Sequence, residues 1–241
     1  MAVKVNTGLP RSPHEVVAGF RSLLKNYPSV TPAVSDAMER LNAMNSDIRP
    51  LLDGTRVAGV ALTCKTIAAD FAPILMAIDV GQPDDILVID THHSKDTAFW
   101  GEFLSISCQN KGIVAVVMDC AMRDIVECRK IGFPVLSCGV APNVAAVVGF
   151  GYVNVPIQCC GAHVNPGDVV VIDECGVVVA PYEEVNAVLE RTTHILQNEE
   201  KVLAKIKAGA TLGDVLDINK TVSASFDHHA KYDEKRAKGM I

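Results

Sequence analysis

Aromatic residues are scarce. One Trp, four Tyr and seven Phe make up 5% of the 241 residues, so Val, Ala, Ile and Leu must fill the core. No apolar run approaches the roughly 18 residues that a membrane-spanning helix requires. The opening "MAVKVNTGLPRSPHEV" lacks the basic-then-apolar layout of a secretory signal. Both absences lead to the expectation of a cytoplasmic protein with no membrane partner. Basic residues are not in excess: 22 Lys and Arg stand against 28 Asp and Glu, a net charge of −6. A nucleic-acid partner needs a basic face, so none is expected. The eight cysteines include no C-x-x-C pair and no Cys/His spacing of the zinc type. They read as buried free thiols, since Cys packs as a small hydrophobe.

What is present is alternation. "PHEVVAGFRSLLKN" (13–26) has apolar residues at helical spacing, and "SVTPAVSDAMERLNAM" predicts a second helix with Thr31 as N-cap and Pro32 at its first position. "RVAGVALTCKTI" (56–67) reads as a strand, "APILMAIDVG" as a buried helix closed by Gly81, and "PDDILVID" as a turn and strand. "DTAFWGEFLSISCQNKG" predicts a helix ending at Gly112, "IVAVVMD" a strand, "RDIVECRKIG" a helix closed by Gly132, and "FPVLSCG" another strand. Such alternation argues for a largely parallel α/β sheet. From residue 151 the texture changes to short β-runs broken by Gly and Pro, predicting a β-rich second layer. Residues 182–208 form a charged amphipathic helix, followed by the polar tail "DHHAKYDEKRAKGMI". The expected organisation is an α/β catalytic domain over residues 1–181, with residues 182–241 a C-terminal helix and tail of the same unit.

The most informative stretch is "VVMDCAMRDIVECRKIGFPV", where Arg123 and Asp124 stand side by side between a strand and a helix. One reading is purely local. "DIVE" spaces Asp124 and Glu127 as a capping box, with Asp124 accepting the first amides of its own helix. The other reading is chemical. The helix start lies at the carboxyl edge of the sheet, where ligands gather in α/β folds. Asp124 could bind a divalent cation through oxygen, and Arg123 could grip a carboxylate with two parallel bonds. Upstream, Gly101 in "WGEFL" opens another helix whose free N–H groups suit an anion. A cation site, a carboxylate grip and an anion-binding backbone together suit a small 2-oxo acid.

The segment "WGEFLSISCQNKGIVAVVMDCAMRDIVECRKIGFPVLSCGVAP" resembles the core of the family that includes 4-hydroxy-4-methyl-2-oxoglutarate aldolase and the regulator of ribonuclease activity A. "TPAVSDAM", "VAGVALTCKT", "PDDILVID" and "VNVPIQCCGAHVNPGDVVVIDECGVVVAP" extend the resemblance over most of residues 31–182. Its most specific element is an acidic residue, twenty intervening positions, then Arg-Asp, running here from Glu102 to Arg123-Asp124. An intact Arg-Asp pair resembles the aldolase branch.

The resemblance implies a three-layer domain of the swivelling β/β/α type with a C-terminal helical extension. It implies assembly as a trimer or a dimer of trimers. It also implies a class II aldolase that uses Mg²⁺ or Mn²⁺ and cleaves a 4-hydroxy-2-oxo acid to pyruvate. Oxaloacetate decarboxylation would pass through the same enolate. By the same resemblance Asp124 is the metal ligand, and Gly101, Glu102, Phe103 and Leu104 present their backbone to the pyruvoyl group. Arg123 holds its carboxylate or its developing enolate oxygen, and Glu102 orders water. A carboxylate from a neighbouring subunit, Glu199 or the adjacent Glu200, completes the site. The alternative from another class is a non-catalytic regulator of ribonuclease activity, acting by protein contact. A methyltransferase would need a glycine-rich nucleotide loop after the first strand, and "RVAGVALTCKT" offers one glycine. His92 and His93, in "THHSKD", stand as either solvated loop residues or substrate contacts.

Overall fold

The computed structural model describes residues 2–67, 69–220 and 222–223. In chain order, the first elements are β1 (Lys4–Val5), α1 (His14–Asn26), α2 (Thr31–Ala37), β2 (Arg49–Pro50), β3 (Val57–Thr66), α3 (Ala72–Val80) and β4 (Asp85–Asp90). There follow β5 (Ala98–Trp100), α4 (Glu102–Lys111), β6 (Ala115–Met118), β7 (Ala121–Met122), α5 (Ile125–Ile131), β8 (Val135–Ser137) and β9 (Gly139–Val140). The remainder comprises β10 (Gly151–Val153), β11 (Ile157–Cys159), β12 (Ala162–Val164), β13 (Val169–Asp173), β14 (Gly176–Ala180), α6 (Val185–Lys207) and α7 (Leu212–Val215). The chain divides into two compact units, 1–193 and 194–241.

The first unit is a three-layer α/β domain. Its central sheet has the order β1-β10-β3-β4-β6-β8-β2, with the β13–β14 hairpin also paired to β3. The β3–β4, β4–β6 and β6–β8 pairs are parallel, each joined by a crossover that contains a helix. All six residues of β4 are buried, because a parallel sheet is covered on both faces. The period-two alternation then sorts its side chains. Leu87 and Ile89 join a core with Ile74, Phe99, Trp100, Cys108, Met118 and Phe133, on the helical side. Ile86 and Val88 join Val117, Ile157, Val164, Val170 and Val179, on the side of the β11–β12 hairpin. Trp100 stacks on Phe133 with centroids 6.3 Å apart, in a core built mainly from aliphatics.

Three sequence expectations need correction. Thr31 is the first residue of α2 and not its cap: Val30 precedes the helix and offers no side-chain oxygen. Asp173, at the end of β13, supplies the acceptor instead, taking the amides of Val30 (2.7 Å) and Thr31 (2.9 Å) and the Thr31 hydroxyl (2.6 Å). The second helix is also shorter than predicted, because the backbone turns left-handed at Glu39 and Arg40. The predicted helix over "DTAFWGEFLSISCQNKG" begins only at Glu102. Ala98–Trp100 is instead a strand, β5, paired in parallel with β7. Together β5, β7 and β9 form a small parallel sheet, the last two following β6 and β8 after a residue or two. Aromatic residues favour a strand when tertiary pairing is available, which overrides the helical pattern downstream.

In the second unit, α6 continues to Lys207, and Thr211 starts α7 with a reciprocal capping box to Asp214. The histidines at 228 and 229 and the rest of the polar tail from 224 lie outside the described residues. No helix among the described residues is long and apolar enough to cross a membrane.

Candidate active site at the α4 and α5 helix starts

The small sheet sets the site. β5 leads into α4 through Gly101, and β7 leads into α5 through Arg123 and Asp124, so two helix starts lie side by side. The Arg123 amide donates to the Trp100 carbonyl (2.9 Å), which ties the two turns together. Ser105 locks the first turn from below. It is fully buried, accepts the Trp100 indole N–H (2.9 Å) and donates to the Gly101 carbonyl (3.1 Å).

Asp124 adopts a left-handed backbone, φ +55°, at the N-cap of α5. Asp tolerates this conformation better than most residues. Its side chain makes no capping bond to α5, so the capping-box reading of "DIVE" is wrong. The left-handed turn points the carboxylate away from its own helix. Oδ2 accepts instead from the Glu102 amide of α4, at 3.2 Å. The Arg123 Nε lies 3.7 Å from the same oxygen.

This arrangement explains Gly101. Its backbone is extended and free of conformational strain, but a Cβ there would sit 2.3 Å from Asp124 Oδ2 and 3.5 Å from Arg123 Cγ. Glycine is required for close approach rather than for a turn. The cradle consists of the α4 first-turn backbone at Gly101, Glu102, Phe103 and Leu104, with the Asp124 carboxylate and Arg123 guanidinium beside it. Asp124 is 38% exposed and Arg123 40%, so both reach solvent. The Glu102 side chain, at the same helix start, has no partner among the described residues.

Of the residues singled out by sequence, Gly101, Glu102, Arg123 and Asp124 are brought into one cluster, with Phe103 and Leu104 on the same first turn. Glu199 and Glu200 lie exposed on α6, in the second unit. His92 and His93 sit elsewhere. They line a recess of about 440 Å³ with Asn45, Lys65, Asp90, Asp119, Gln158, Cys160 and Gly161, at the carboxyl ends of β3, β4 and β6. Both are left-handed, with φ +56° and +63°. His93 Nε2 is 3.4 Å from Asp47 Oδ2, and its amide donates to Asp119 (2.9 Å). Sequence reasoning missed this recess. Its acidic residues end strands in "DILVID" and "VVMD", which is the one signal that could have located it. It also missed Ser105, whose role depends on a tertiary contact with an indole.

Comparison with known proteins agrees with this architecture. The profile of the RraA-like family, described as aldolase/RraA, matches residues 31–179. An uncharacterised protein of Methanocaldococcus jannaschii is 32% identical over 84% of this chain and 96% of its own length. A Halalkalibacterium halodurans protein named as a candidate 4-hydroxy-4-methyl-2-oxoglutarate aldolase is 34% identical over 67% of this chain and 77% of its own. Among solved structures, Streptomyces coelicolor RraAS2 is described as an unusual member of the RNase ES inhibitor RraA protein family. It superposes with a TM-score of 0.68 at 26% identity, covering 80% of this chain and 97% of that one.

Proposed function

Because this chain belongs to the RraA-like aldolase/RraA family, we propose that it is a divalent-metal-dependent aldolase cleaving a 4-hydroxy-2-oxo acid to pyruvate and a second oxo acid. The observation that carries the reading is the orientation of Asp124. Its carboxylate turns from its own helix onto the start of α4 and accepts one long bond there, beside an arginine.

The donor set fits magnesium or manganese. Such ions are held through one or two carboxylates and keep several waters. Asp124 is exposed enough to act as that ligand, and Glu102 is a second carboxylate next to it. No group of three His, Cys, Asp or Glu that could hold a metal occurs among the described residues. When bound, the ion supplies Lewis acidity to the oxygen on which charge develops.

The chain's own groups divide the remaining work. The first N–H groups of α4 lack intrahelical partners, and those of Phe103 and Leu104 suit the substrate carboxylate. Arg123 carries a fixed positive charge and binds a carboxylate or an enolate oxygen without needing to titrate. Cleavage moves the C3–C4 bonding electrons toward the C2 oxygen while the C4 hydroxyl loses its proton. Glu102, together with Glu199 of the partner subunit, orients the acceptor of that proton. On this reading residues 1–181 carry the catalytic domain and α6 reaches a neighbouring copy. Exposed Phe103 (78%), Val126 (56%) and Val140 (68%) support self-association as a trimer or a dimer of trimers, since apolar residues flanking a site suit an interface.

The test is pyruvate release from 4-hydroxy-4-methyl-2-oxoglutarate, its 4-carboxy homologue and oxaloacetate, with Mg²⁺ and with Mn²⁺. Metal-dependent release that disappears with chelator supports the proposal. No release from any of the three acids with either metal would leave the alternative, a non-catalytic regulator acting by protein contact; the Streptomyces relative is described as a member of an RNase ES inhibitor family.

A further inference from the structure

The mechanism above uses no cysteine, yet two thiols far apart in sequence are in contact. Cys138 Sγ lies 3.2 Å from Cys160 Sγ. Cys138 is the residue between β8 and β9, and its amide is fixed by the Cys120 carbonyl (3.0 Å). Cys160 and Gly161 form the two-residue loop of the β11–β12 hairpin, with φ of +46° and +83°. A loop with both residues left-handed normally takes Asn, Asp or Gly at its first position. A cysteine there is a strained choice, and strain of this kind is retained where the side chain has a task. The Asn45 amide holds the strained turn through the Cys160 carbonyl (2.7 Å).

Cys138 is partly exposed, and Cys160, though 4% exposed, lines the 440 Å³ recess. The remaining neighbours, Cys120 and Cys159, are fully buried. The Lys95 ammonium lies within electrostatic reach of both Cys138 and Cys160, and a cation there favours the thiolate. Against it, the hydrogen bond to Cys160 and then burial raise the Cys138 thiol; at Cys160 the contact with Cys138 works the other way, but the Cys159 hydrogen bond and burial prevail and raise that thiol too, so both sulfurs are held as thiols.

We propose that Cys138 and Cys160 are a reversible oxidation site, closed to an intramolecular disulfide by hydrogen peroxide. The Cys160 sulfur takes one peroxide oxygen, giving a sulfenic acid and one water. The Cys138 sulfur then attacks the Cys160 sulfur. The S–S bond forms as the hydroxyl leaves with the Cys138 proton as a second water. The two thiols lose two electrons and two protons in all, and the peroxide is reduced to water. The cross-link joins the hairpin turn to the end of β8, tying down one wall of the recess. This inference does not depend on the aldolase reading.

The experiment treats the full chain with hydrogen peroxide, blocks remaining thiols with iodoacetamide, and maps a non-reducing digest by mass spectrometry. The expected product is one peptide pair joining Cys138 to Cys160, about 2 Da lighter than the two thiol peptides and separated by dithiothreitol. The cross-link persists in Cys159→Ser and Cys175→Ser and is absent in Cys138→Ser. Equal alkylation of Cys138 and Cys160 before and after peroxide would overturn the proposal. So would a disulfide to Cys120, Cys159 or Cys175, or direct passage to sulfinic acid. Should Cys138→Ser fail to fold, the maps of the unaltered chain and of Cys159→Ser decide the matter alone.

Discussion

Asp124 and the other acids at loop and strand ends behave in opposite ways. Asp70 is 1% exposed and accepts from the amides of Ala72, Val148, Gly149 and Phe150, at 2.6 to 3.0 Å. Asp119 takes the Thr91 amide and hydroxyl and the His93 amide, and Asp173 caps α2 as described. Asp70 and Asp173 each accept four bonds and Asp119 three, so each holds a loop in place and has little capacity left for a ligand. Asp124 is half-exposed, with one amide at 3.2 Å and one guanidinium at 3.7 Å. A carboxylate has about four acceptor positions. One that fills them inside the chain is structural, and one that leaves them open to solvent beside a cation is available for chemistry.

That contrast breaks first at Asp124. Asp124→Ala should abolish metal-dependent pyruvate release, by about 10³-fold or more, roughly 4 kcal/mol of transition-state stabilisation. Its denaturation midpoint should stay near that of the parent. A variant that lost its fold instead would make Asp124 a structural acid like the others.

Asp70→Asn should show the reverse. Replacing one acceptor oxygen with an amide leaves two N–H groups, those of Gly149 and Phe150 or those of Ala72 and Val148, facing a donor, at a cost of about 2–4 kcal/mol in stability. Urea denaturation measures it, and activity per folded molecule should change little.

Gly101→Ala probes the point where the two turns touch. The added Cβ must displace the Asp124 carboxylate, for about 1–3 kcal/mol by overpacking. Both stability and activity should fall together, and a silent substitution would remove the close-approach argument.

Arg123→Ala should lower kcat/KM at least about tenfold, roughly 1.4 kcal/mol, while metal affinity stays near normal. A smaller loss would show that the guanidinium does not hold the substrate.

The smallest effect concerns acid stability. Burial works against the Asp70 charge, but the amides of Phe150, Val148, Ala72 and Gly149 prevail and hold its carboxyl below the ordinary value of 3.8. A carboxyl lowered by folding contributes stability that is fully present above the unfolded value and is lost as pH falls through the folded one. Unfolding below about pH 4 should therefore be steeper in the parent than in Asp70→Asn, as read from midpoints across a pH series.

Much of the fold was legible because burial leaves a periodic trace. "PDDILVID" read as a turn and strand, and β4 is that strand, buried on both faces; Gly112 and Gly132 closed their helices in left-handed conformations, as glycine after a helical run predicts. "AFW" misled because a three-residue strand has too few residues to show a period, and only its pairing with β7 makes it one. Asp173 was invisible as a cap because it lies 142 positions from Thr31. At the site, the spacing from Glu102 to Arg123-Asp124 pointed to the right turns. Yet "DIVE" allowed a capping box equally well, and the choice rested on one backbone dihedral. The recess with His92 and His93 left only the strand-ending acids of "DILVID" and "VVMD" as a trace, and the Cys138–Cys160 contact left no local pattern.

By itself the sequence determined the elements and their alternation, since hydrophobic period and helix-closing glycines act over a few residues. It also determined which residue types stood at the two helix starts. Tertiary structure alone decided that Asp124 turns from its own helix onto α4, that Gly101 makes the room, and that two cysteines meet across a hairpin. Those outcomes depend on a left-handed turn and on contacts between distant segments, and chain-local propensities carry no record of either.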